Sequence, residues 1–294
     1  MGARDPLTDA TSAAAPGGDV RAYEFNVQDF ERVRRLIYGI AGIDLNASKR
    51  NMVYSRLARR LRARGIESFG SYLDGLEQSE DFASQERQEF VNALTTNLTS
   101  FFREEHHFPV LAEFLRTIPA GRAPRIWCAA ASTGEEPYSI AMTVVETLGA
   151  KSEARLLATD IDTQVLAAAG RGVYKEQSAQ ACGEARLRRF FQRGTGANAG
   201  MARVRPEVSR LVEFGQLNLL DPGWPLVQRF GSPVDAVFCR NVMIYFNRAT
   251  QRAILERIAA VLRSGGLLFA GHSENFTDCR DWFALRGKTV YERL

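Results

Sequence analysis

Apolar residues recur at helical spacing through the first third of the chain, and no segment there alternates as a strand would. This spacing predicts a helix over residues 26–42 and a second over 48–65. Two further amphipathic segments follow, at 69–76 and 87–94. Residues 21–94 are therefore expected to form a small all-helical domain.

Beyond residue 110, short apolar runs alternate with amphipathic segments. The runs predict strands over residues 126–128, 154–159, 211–217, 234–239 and 267–270. Helices are expected between them, including 163–169 and 252–262, the latter ended by Gly265-Gly266. A terminal hairpin of residues 283–286 and 289–292 adds an antiparallel edge. The expected fold over residues 111–294 is a Rossmann-like, doubly wound, mostly parallel α/β sheet.

One segment, residues 184–214, interrupts this alternation. Its glycine-rich turn at 193–200 is flanked by two short runs with strand character, 189–192 and 201–205. The pattern predicts a small antiparallel β-subdomain inserted into the sheet domain.

Residues 95–110 are expected to link the two domains and to contribute to a ligand site, because Asn97 and Arg103 lie close together there. Either Thr99 or Ser100 is expected to cap a helix that begins at Arg103. The alternative is a plain linker whose phenylalanines pack into the core.

Composition narrows the class of protein. The chain has 294 residues, with 45% hydrophobic and 24% charged residues, which is typical of globular proteins. Its four cysteines form no C-x-x-C pair and there are three histidines, so neither a disulfide framework nor a metal centre is expected. Residues 1–20 lack an apolar core of a signal peptide, and no run is long enough to span a membrane. We expect a disordered tail and a cytoplasmic protein.

The second predicted helix is strongly basic. Between residues 48 and 65 there is no acidic residue, and the basic ones are Lys49, Arg50, Arg56, Arg59, Arg60, Arg62 and Arg64. Such charges repel one another, so an acidic partner surface is favoured over a merely solvated helix face. Binding of single-stranded nucleic acid is disfavoured because Tyr54 is the one aromatic residue in the stretch.

A strand, a turn of small residues and a helix follow one another over residues 125–142, RIWCAAASTGEEPYSIAM. In open α/β sheets this arrangement builds a ligand crevice, and small side chains let the backbone approach the ligand. Glu135 and Glu136 suit a hydroxyl-bearing cation better than a pyrophosphate. Thr133 and Glu136 also have the spacing of a capping box, which is the alternative role.

Polar residues follow the other predicted strands and should lie at the same edge of the sheet. Asp160 ends the second strand, where an acidic side chain typically binds ribose hydroxyls, while Asp162 is expected to cap the next helix. Asn218 and the pair Arg240-Asn241 follow two later strands. Convergence of these side chains favours a ligand role for Glu136 over the capping box. Tyr245 would lie over the crevice or be a half-buried aromatic residue.

Several cofactor classes are excluded by the turn itself. It reads AAASTG, without the G-x-G-x-x-G of dinucleotide sites, and neither a P-loop nor a G-x-S-x-G elbow occurs in context. An acidic crevice without a phosphate clamp fits S-adenosylmethionine (SAM), which has ribose hydroxyls, a sulfonium cation and an amino group.

Long motifs also resemble a known family. The segments NLTSFFREEHHFPVL, WCAAASTGEEPYSIAMT, ATDIDTQVL, LNLLD, FCRNVMIYF and GLLFAGHSENF are similar to those of the bacterial chemoreceptor glutamate methyltransferases, the CheR family. The resemblance covers residue 25 to the C-terminus. It implies transfer of a methyl group from SAM to receptor glutamates, which yields glutamate 5-O-methyl esters and S-adenosylhomocysteine.

The resemblance also implies roles for individual residues. The implied cofactor contacts are Asn97, Thr99, Arg103, Ala130, Glu136, Asp160, Asn218, Leu219, Arg240 and Asn241. Arg103 and Tyr245 are placed nearest the transferred methyl group, although Arg103 could instead bind the carboxylate of the cofactor. The implied receptor-docking residues are Arg56, Arg59, Arg60 and Arg62. The β-subdomain is implied to tether a C-terminal receptor peptide.

We therefore expect a monomer that binds chemoreceptor helices, without nucleic acid and without membrane insertion. Two alternatives stay open. One is a nucleic-acid methyltransferase, against which the strand end reads RNVMIY and not the N-P-P-Y type. The other is a cofactor-binding scaffold that docks receptors without catalysis.

Overall fold

The computed structural model describes residues 23–294, apart from the side chain of Thr277. The expected disordered tail, residues 1–20, lies outside the described residues. The N-terminal domain is all-helical, as predicted, and consists of α1 (Val27–Ala41), α2 (Arg50–Arg64), α3 (Phe69–Gln78) and α4 (Glu80–Leu94). Asn26 and Asp29 form a capping box on α1, and Gly42 ends it in the left-handed conformation. Helix α4 begins earlier than predicted because the Ser79 side chain caps it at Phe82 N.

The remainder of the described chain alternates between strands and helices. In order, these elements are α5 (His107–Thr117), β1 (Arg125–Cys128), α6 (Glu135–Leu148), β2 (Arg155–Asp160), α7 (Thr163–Arg171), β3 (Val173–Lys175), α8 (Glu176–Ala179), α9 (Glu184–Phe190), β4 (Phe191–Arg193), β5 (Met201–Val204), α10 (Pro206–Ser209), β6 (Val212–Gln216), α11 (Pro225–Gly231), β7 (Val234–Cys239), α12 (Arg248–Val261), β8 (Leu262–Ala270), β9 (Phe283–Gly287) and β10 (Val290–Arg293).

The main sheet is doubly wound, and it confirms the predicted fold class. Its strand order is β6-β2-β1-β7-β8-β10-β9. The first five strands in this order run parallel, and the hairpin β9–β10 forms the antiparallel edge. Side chains alternate between two cores. Ile126 and Cys128 of β1 pack on one face of the sheet, and Trp127 packs on the other against Trp224. Both faces are buried, as is usual for parallel sheets.

A second, antiparallel sheet has the order β3-β5-β4. It confirms a small β-subdomain, but its bounds differ from the predicted insertion at 184–214. Its first strand, Val173–Lys175, lies before that range, residues 184–190 are helical, and Val212–Gln216 belong to the main sheet. A strand of three residues is too short to show a periodicity in sequence.

Two helix ends were predicted wrongly. Helix α5 begins at His107 and not at Arg103, and neither Thr99 nor Ser100 caps it. Phe102 and Glu104 have φ values of 53° and 54°, which an α-helix cannot accommodate. Helix α12 ends at Val261, so Gly265-Gly266 lie within β8 instead of ending the helix.

The helical domain is bonded to the sheet domain beside the carboxyl ends of the parallel strands. Asn218 Nδ2 donates to the carbonyl oxygen of Ile40 at 2.7 Å, and Asp44 N donates to the carbonyl oxygen of Tyr245 at 2.8 Å. Across residues 23–294, no helix is both long and apolar enough to cross a membrane.

Candidate active site

A crevice of about 350 Å³ lies at the carboxyl ends of β1, β2 and β7, where the two domains and the linker meet. All residues predicted to act on the cofactor or the methyl group line it. These are Asn97, Thr99, Arg103, Ala130, Glu136, Asp160, Asn218, Leu219, Arg240, Asn241 and Tyr245. The sequence motifs therefore identified a set of residues that the fold brings together from distant parts of the chain.

Asp160 lies at the end of β2 and is 9% exposed. Its carboxylate oxygens accept hydrogen bonds from Ser132 N at 2.8 Å and from Asp162 N at 3.0 Å. Burial raises the pKa of Asp160, and these backbone donors oppose the rise. A carboxylate has further lone pairs, so Asp160 can still accept from the hydroxyls of a ribose.

Asp162 caps α7, as predicted, and also holds the linker in place. Its second oxygen, Oδ2, accepts from Thr95 Oγ1 at 2.6 Å and from Asn97 Nδ2 at 2.8 Å. The carbonyl oxygen of Asn97 in turn accepts from Ser132 Oγ at 3.0 Å. The Asn97 amide therefore holds the linker beside β2. The sequence predicted Asn97 only as a cofactor ligand and not for this structural role.

Arg240 joins three segments through a fully buried guanidinium. Nη1 forms a salt bridge with Glu136 Oε2 at 2.6 Å, and Nη2 donates to the carbonyl oxygen of Arg103 at 2.5 Å. Nη2 also lies 3.4 Å from Glu104 Oε2. Burial raises the pKa of Glu136, while the charge of Arg240 opposes that rise. Arg240 thus fixes the backbone at Arg103 as well as lining the crevice.

The alternative of a capping box at the start of α6 is wrong. Thr133 Oγ1 donates to Glu135 Oε2 at 2.6 Å, and Gly134 precedes the helix without a side-chain cap. Glu136 is instead paired with Arg240 and accepts from Cys128 Sγ at 3.4 Å. Its carboxylate is therefore oriented toward the crevice residues and not toward the helix end.

Glu104 was missed by the sequence analysis. Oε1 accepts from Asn241 Nδ2 at 3.3 Å and from His272 N at 3.2 Å, and lies 3.0 Å from His272 Nδ1. Burial alone would raise the pKa of Glu104, but the hydrogen bonds from His272 and the charge of Arg240 lower it to about 2. No spacing rule distinguishes Glu104 from Glu105 in the run REEHHF.

Glu274 was also missed, and it shapes the loop after β7. Its carboxylate accepts from the backbone N–H groups of Asn241 at 3.0 Å, Val242 at 2.9 Å, Met243 at 2.8 Å and Gly271 at 2.5 Å. These bonds hold Asn241 at a φ of 56°. A Cβ atom on Gly271 would lie 2.9 Å from the backbone nitrogen of Asn241 as well as 2.3 Å from Asn241 Nδ2, so only glycine fits there.

Arg103 and Tyr245 lie at the outer part of the crevice, and both are partly exposed. Arg103 Nη1 donates to the carbonyl oxygen of Leu98 at 2.8 Å, which leaves other N–H groups of the guanidinium for a ligand. Within residues 23–294, no hydrogen bond engages the Tyr245 hydroxyl. Both side chains can therefore interact with a methyl acceptor that binds in the crevice.

Two of the predicted docking arginines are engaged within the protein. Arg60 Nε forms a salt bridge with the buried Glu86 at 2.8 Å, and Arg56 Nη1 donates to the carbonyl oxygen of Thr95. The expectation that the charges of α2 are uncompensated is therefore wrong for Arg60, whose carboxylate partner lies on α4. Such long-range pairing cannot be seen in a helix considered by itself.

Arg59 and Arg62 remain exposed. The guanidinium of Arg62 lies 5.9 Å from the centre of the Tyr23 ring, a distance typical of cation–π contacts. In the described part of the chain, neither arginine forms a salt bridge. They are the members of the predicted docking set whose charges are available to a partner.

The expectation of no metal centre stays a prediction. Glu104, His106 and His107 bring potential ligand atoms within 4.8 Å of one another. However, the Arg240 guanidinium lies 3.4 Å from Glu104 Oε2, and a positive charge at that distance disfavours a second cation.

Comparison with known proteins identifies the family. Residues 97–292 match the family described as CheR methyltransferase, SAM binding domain, and residues 28–95 match CheR methyltransferase, all-alpha domain. The chain belongs to the CheR methyltransferase family. The boundary between the two CheR domains coincides with the observed end of α4 at Leu94.

Relatives within the CheR family are similar over most of their length. The chemotaxis protein methyltransferase of Klebsiella aerogenes is 52% identical over 263 residues, which cover 89% of this chain and 88% of that protein. That of Escherichia coli is 51% identical over 263 residues, covering 89% of each chain. Chemotaxis protein methyltransferase 2 of Pseudomonas aeruginosa is 49% identical over 283 residues, covering 96% and 98%.

SAM is the cofactor of this CheR methyltransferase, and the hydrogen-bonding groups of the crevice fit it. Asp160 has free acceptor capacity for ribose hydroxyls, and Glu136 offers a buried carboxylate for the amino or sulfonium cation. Within residues 23–294, the crevice lacks the glycine-rich phosphate loop that dinucleotides require. The chemistry expected from the sequence is therefore confirmed at the level of the cofactor.

Proposed function

We propose that this protein methylates glutamate side chains of chemoreceptors and yields glutamate 5-O-methyl esters and S-adenosylhomocysteine. The observation that carries the proposal is the arrangement of the crevice. Buried carboxylates that suit SAM lie at its inner end, and Arg103 and Tyr245 lie at its outer part with hydrogen-bonding capacity left over. The relatives named above are chemotaxis protein methyltransferases, which agrees with this substrate class.

The reaction asks little acid–base chemistry of the protein. When bound, SAM supplies an electrophilic methyl group. The acceptor carboxylate is ionised at neutral pH, because the ordinary pKa of a glutamate lies well below 7, so no general base is required. The contribution of the protein is then to orient a weak nucleophile and to remove water from it.

Arg103 is suited to orient that acceptor, because a guanidinium can donate two parallel hydrogen bonds to one carboxylate. Arg240 supports this orientation indirectly, because it donates a hydrogen bond to the backbone carbonyl of Arg103. Glu104 in turn lies within ion-pair distance of Arg240. Tyr245 also lines the crevice, and its hydroxyl can donate a hydrogen bond to the acceptor carboxylate. Both residues would then act on the orientation of the acceptor and not on its ionisation.

The proposal is tested with labelled SAM and the cytoplasmic fragment of a chemoreceptor. We expect label on the receptor that is released as methanol in mild base, because esters hydrolyse there and N-methyl groups do not. Arg103→Ala and Tyr245→Phe are expected to lower turnover at saturating SAM at least tenfold, without loss of folding. Unchanged turnover in both variants would refute the assigned roles, and base-stable label would refute the glutamate ester.

Receptor docking is proposed to involve α2 through Arg59 and Arg62, whose exposed charges suit an acidic helix surface. Arg56 and Arg60 are proposed to support this surface through their contacts within the helical domain. Arg59→Glu should raise KM for the receptor several-fold, more at low salt, and leave SAM affinity unchanged. The matched control is Arg229→Glu, an exposed arginine on α11 of the other domain. Equal effects of both variants would contradict docking at α2.

The β-subdomain is proposed to bind a C-terminal receptor peptide. Strand β4 is an edge strand of the small sheet, and an extended peptide can pair with such an edge. Removal of the last residues of the receptor should then weaken binding and leave turnover on the truncated receptor at saturation unchanged. We further propose that the protein acts in the cytoplasm. We also propose that it is a monomer, which sedimentation of the purified protein would test.

A further inference from the structure

Two large apolar side chains are exposed at the mouth of the crevice. Leu98 is 80% exposed and Ile244 is 50% exposed, and both line the opening. A single exposed apolar residue is ordinary on a protein surface. These two, however, are adjacent to the residues proposed to act on the acceptor. The Leu98 carbonyl accepts from Arg103 Nη1 at 2.8 Å, and Ile244 precedes Tyr245 in one short 3-10 helix, Met243–Tyr245.

The cofactor does not account for this exposure. The carboxylates that suit SAM, Glu136 and Asp160, are only 8% and 9% exposed and lie at the inner end of the crevice. The adenine ring of SAM has apolar faces, but the buried Ala129 and Leu219 already give the crevice an apolar lining for it, whereas Leu98 and Ile244 offer apolar surface on the outer side. A different molecule must cover them if they are to be buried during the reaction.

We propose that Leu98 and Ile244, here called the rim pair, contact apolar side chains that flank the acceptor glutamate on a receptor helix. This inference rests on the proposed function. On a helix, the neighbours of a glutamate lie three and four positions away and flank it on the same face. When the glutamate carboxylate reaches Arg103, those neighbours come against the rim of the crevice.

The exposed charges that line the crevice do not oppose this occupant. Lys49 and Asp44 are both exposed and both line it, so one positive and one negative charge offset each other there. The rim pair then offers apolar contacts to the neighbours of a glutamate whose own carboxylate reaches Arg103. A glutamate surrounded by other charged residues would leave the rim pair exposed and would gain less from binding. The rim pair therefore acts as a specificity determinant among many surface glutamates.

The test measures methylation of a receptor fragment by the whole protein and by Leu98→Ser, Ile244→Ser and the double variant. We expect kcat/KM for the receptor to fall about tenfold in each single variant, with KM carrying most of the change. The Kd for SAM, measured by calorimetry, should stay within twofold. The matched control is Leu285→Ser, which is 55% exposed on β9 and does not line the crevice, and it should leave kcat/KM unchanged.

A second arm changes the substrate. Replacement of the apolar neighbours of a methylated glutamate by serine should lower kcat/KM with the unaltered enzyme, and much less with the double variant. Unchanged kcat/KM in the rim variants, or a parallel loss of SAM affinity, would overturn the inference while leaving the proposed function intact. Failure of the unaltered protein to methylate any receptor glutamate would instead overturn both.

Discussion

Substitution of Glu104 by glutamine tests the polar cluster behind the crevice. The variant keeps the size of the side chain but removes the negative charge beside the buried Arg240. It also weakens the hydrogen bonds that Asn241 and His272 donate to Glu104 Oε1. We expect a less stable protein at neutral pH and a lower turnover, because Arg240 would have one carboxylate partner fewer.

The size of the effect follows from the pKa of Glu104, which lies at about 2 instead of the usual 4.5. This difference corresponds to about 3 kcal/mol of stabilisation of the charged form in the folded protein. The side chain is only 10% exposed, so solvent screening reduces the figure modestly. We therefore expect Glu104→Gln to lower the free energy of unfolding by about 2–3 kcal/mol at pH 7.

The same pKa fixes the pH dependence. Because the folded state holds the carboxyl at a lower pKa than the unfolded state, its stabilisation is complete above pH 4.5. It is lost as the pH falls from there toward 2. The difference in stability between the parent protein and the variant should consequently narrow on acidification.

Urea unfolding at a series of pH values from 7 to 3, followed by circular dichroism, measures this difference. The matched control is Glu105→Gln, the exposed neighbour in the same turn. It should change the free energy of unfolding by less than about 0.5 kcal/mol. A Glu104→Gln variant as stable as this control at pH 7, or a difference that does not narrow with acid, would refute the reasoning.

Three further outcomes are expected. Glu274→Gln should lower the free energy of unfolding by about 2 kcal/mol and reduce kcat, because a neutral amide cannot form the charge-assisted hydrogen bonds that the carboxylate accepts from four backbone N–H groups. Urea titration and steady-state assays measure these two effects, and Glu256→Gln, at an exposed position, is the control. Asn218→Ala removes the hydrogen bond to the Ile40 carbonyl, so the urea midpoint should fall by an amount equal to about 1 kcal/mol, and an unchanged midpoint would contradict a stabilising contact. Burial raises the pKa of the Cys128 thiol well above its usual value, so iodoacetamide should label Cys128 only after denaturation. Mass spectrometry detects the label, and a labelled Cys128 in the native protein would show that the thiol is accessible.

Much of the fold and of the crevice could be predicted from sequence, because the relevant signals are local. Asp160 and Arg240 each follow an apolar run, and parallel strands bring their carboxyl ends to one edge. The missed residues act over long separations. Glu104 and Glu274 are joined to Asn241 across 137 and 33 positions, and nothing in their immediate neighbours indicates those partners.

Backbone conformation explains the wrong start of α5. The positive φ values at Phe102 and Glu104 prevent the helix from beginning at Arg103, so it begins at His107, yet neither residue type favours that conformation. The tertiary contacts of Glu104 stabilise it instead. Likewise, the charge of Arg60 on α2 is balanced by Glu86 on α4, which becomes apparent only once the helices are packed.

The contacts of Ile40 and Asp44 with the sheet domain have a consequence for engineering. Asn218 and Tyr245, which bond to them, belong to the crevice itself. The helical domain is therefore not an independent module that can be exchanged to redirect the enzyme to another receptor. A chimaera with a foreign helical domain would have to reproduce the Ile40 and Asp44 backbone positions, or the crevice would lose these two hydrogen bonds between its lining and the helical domain.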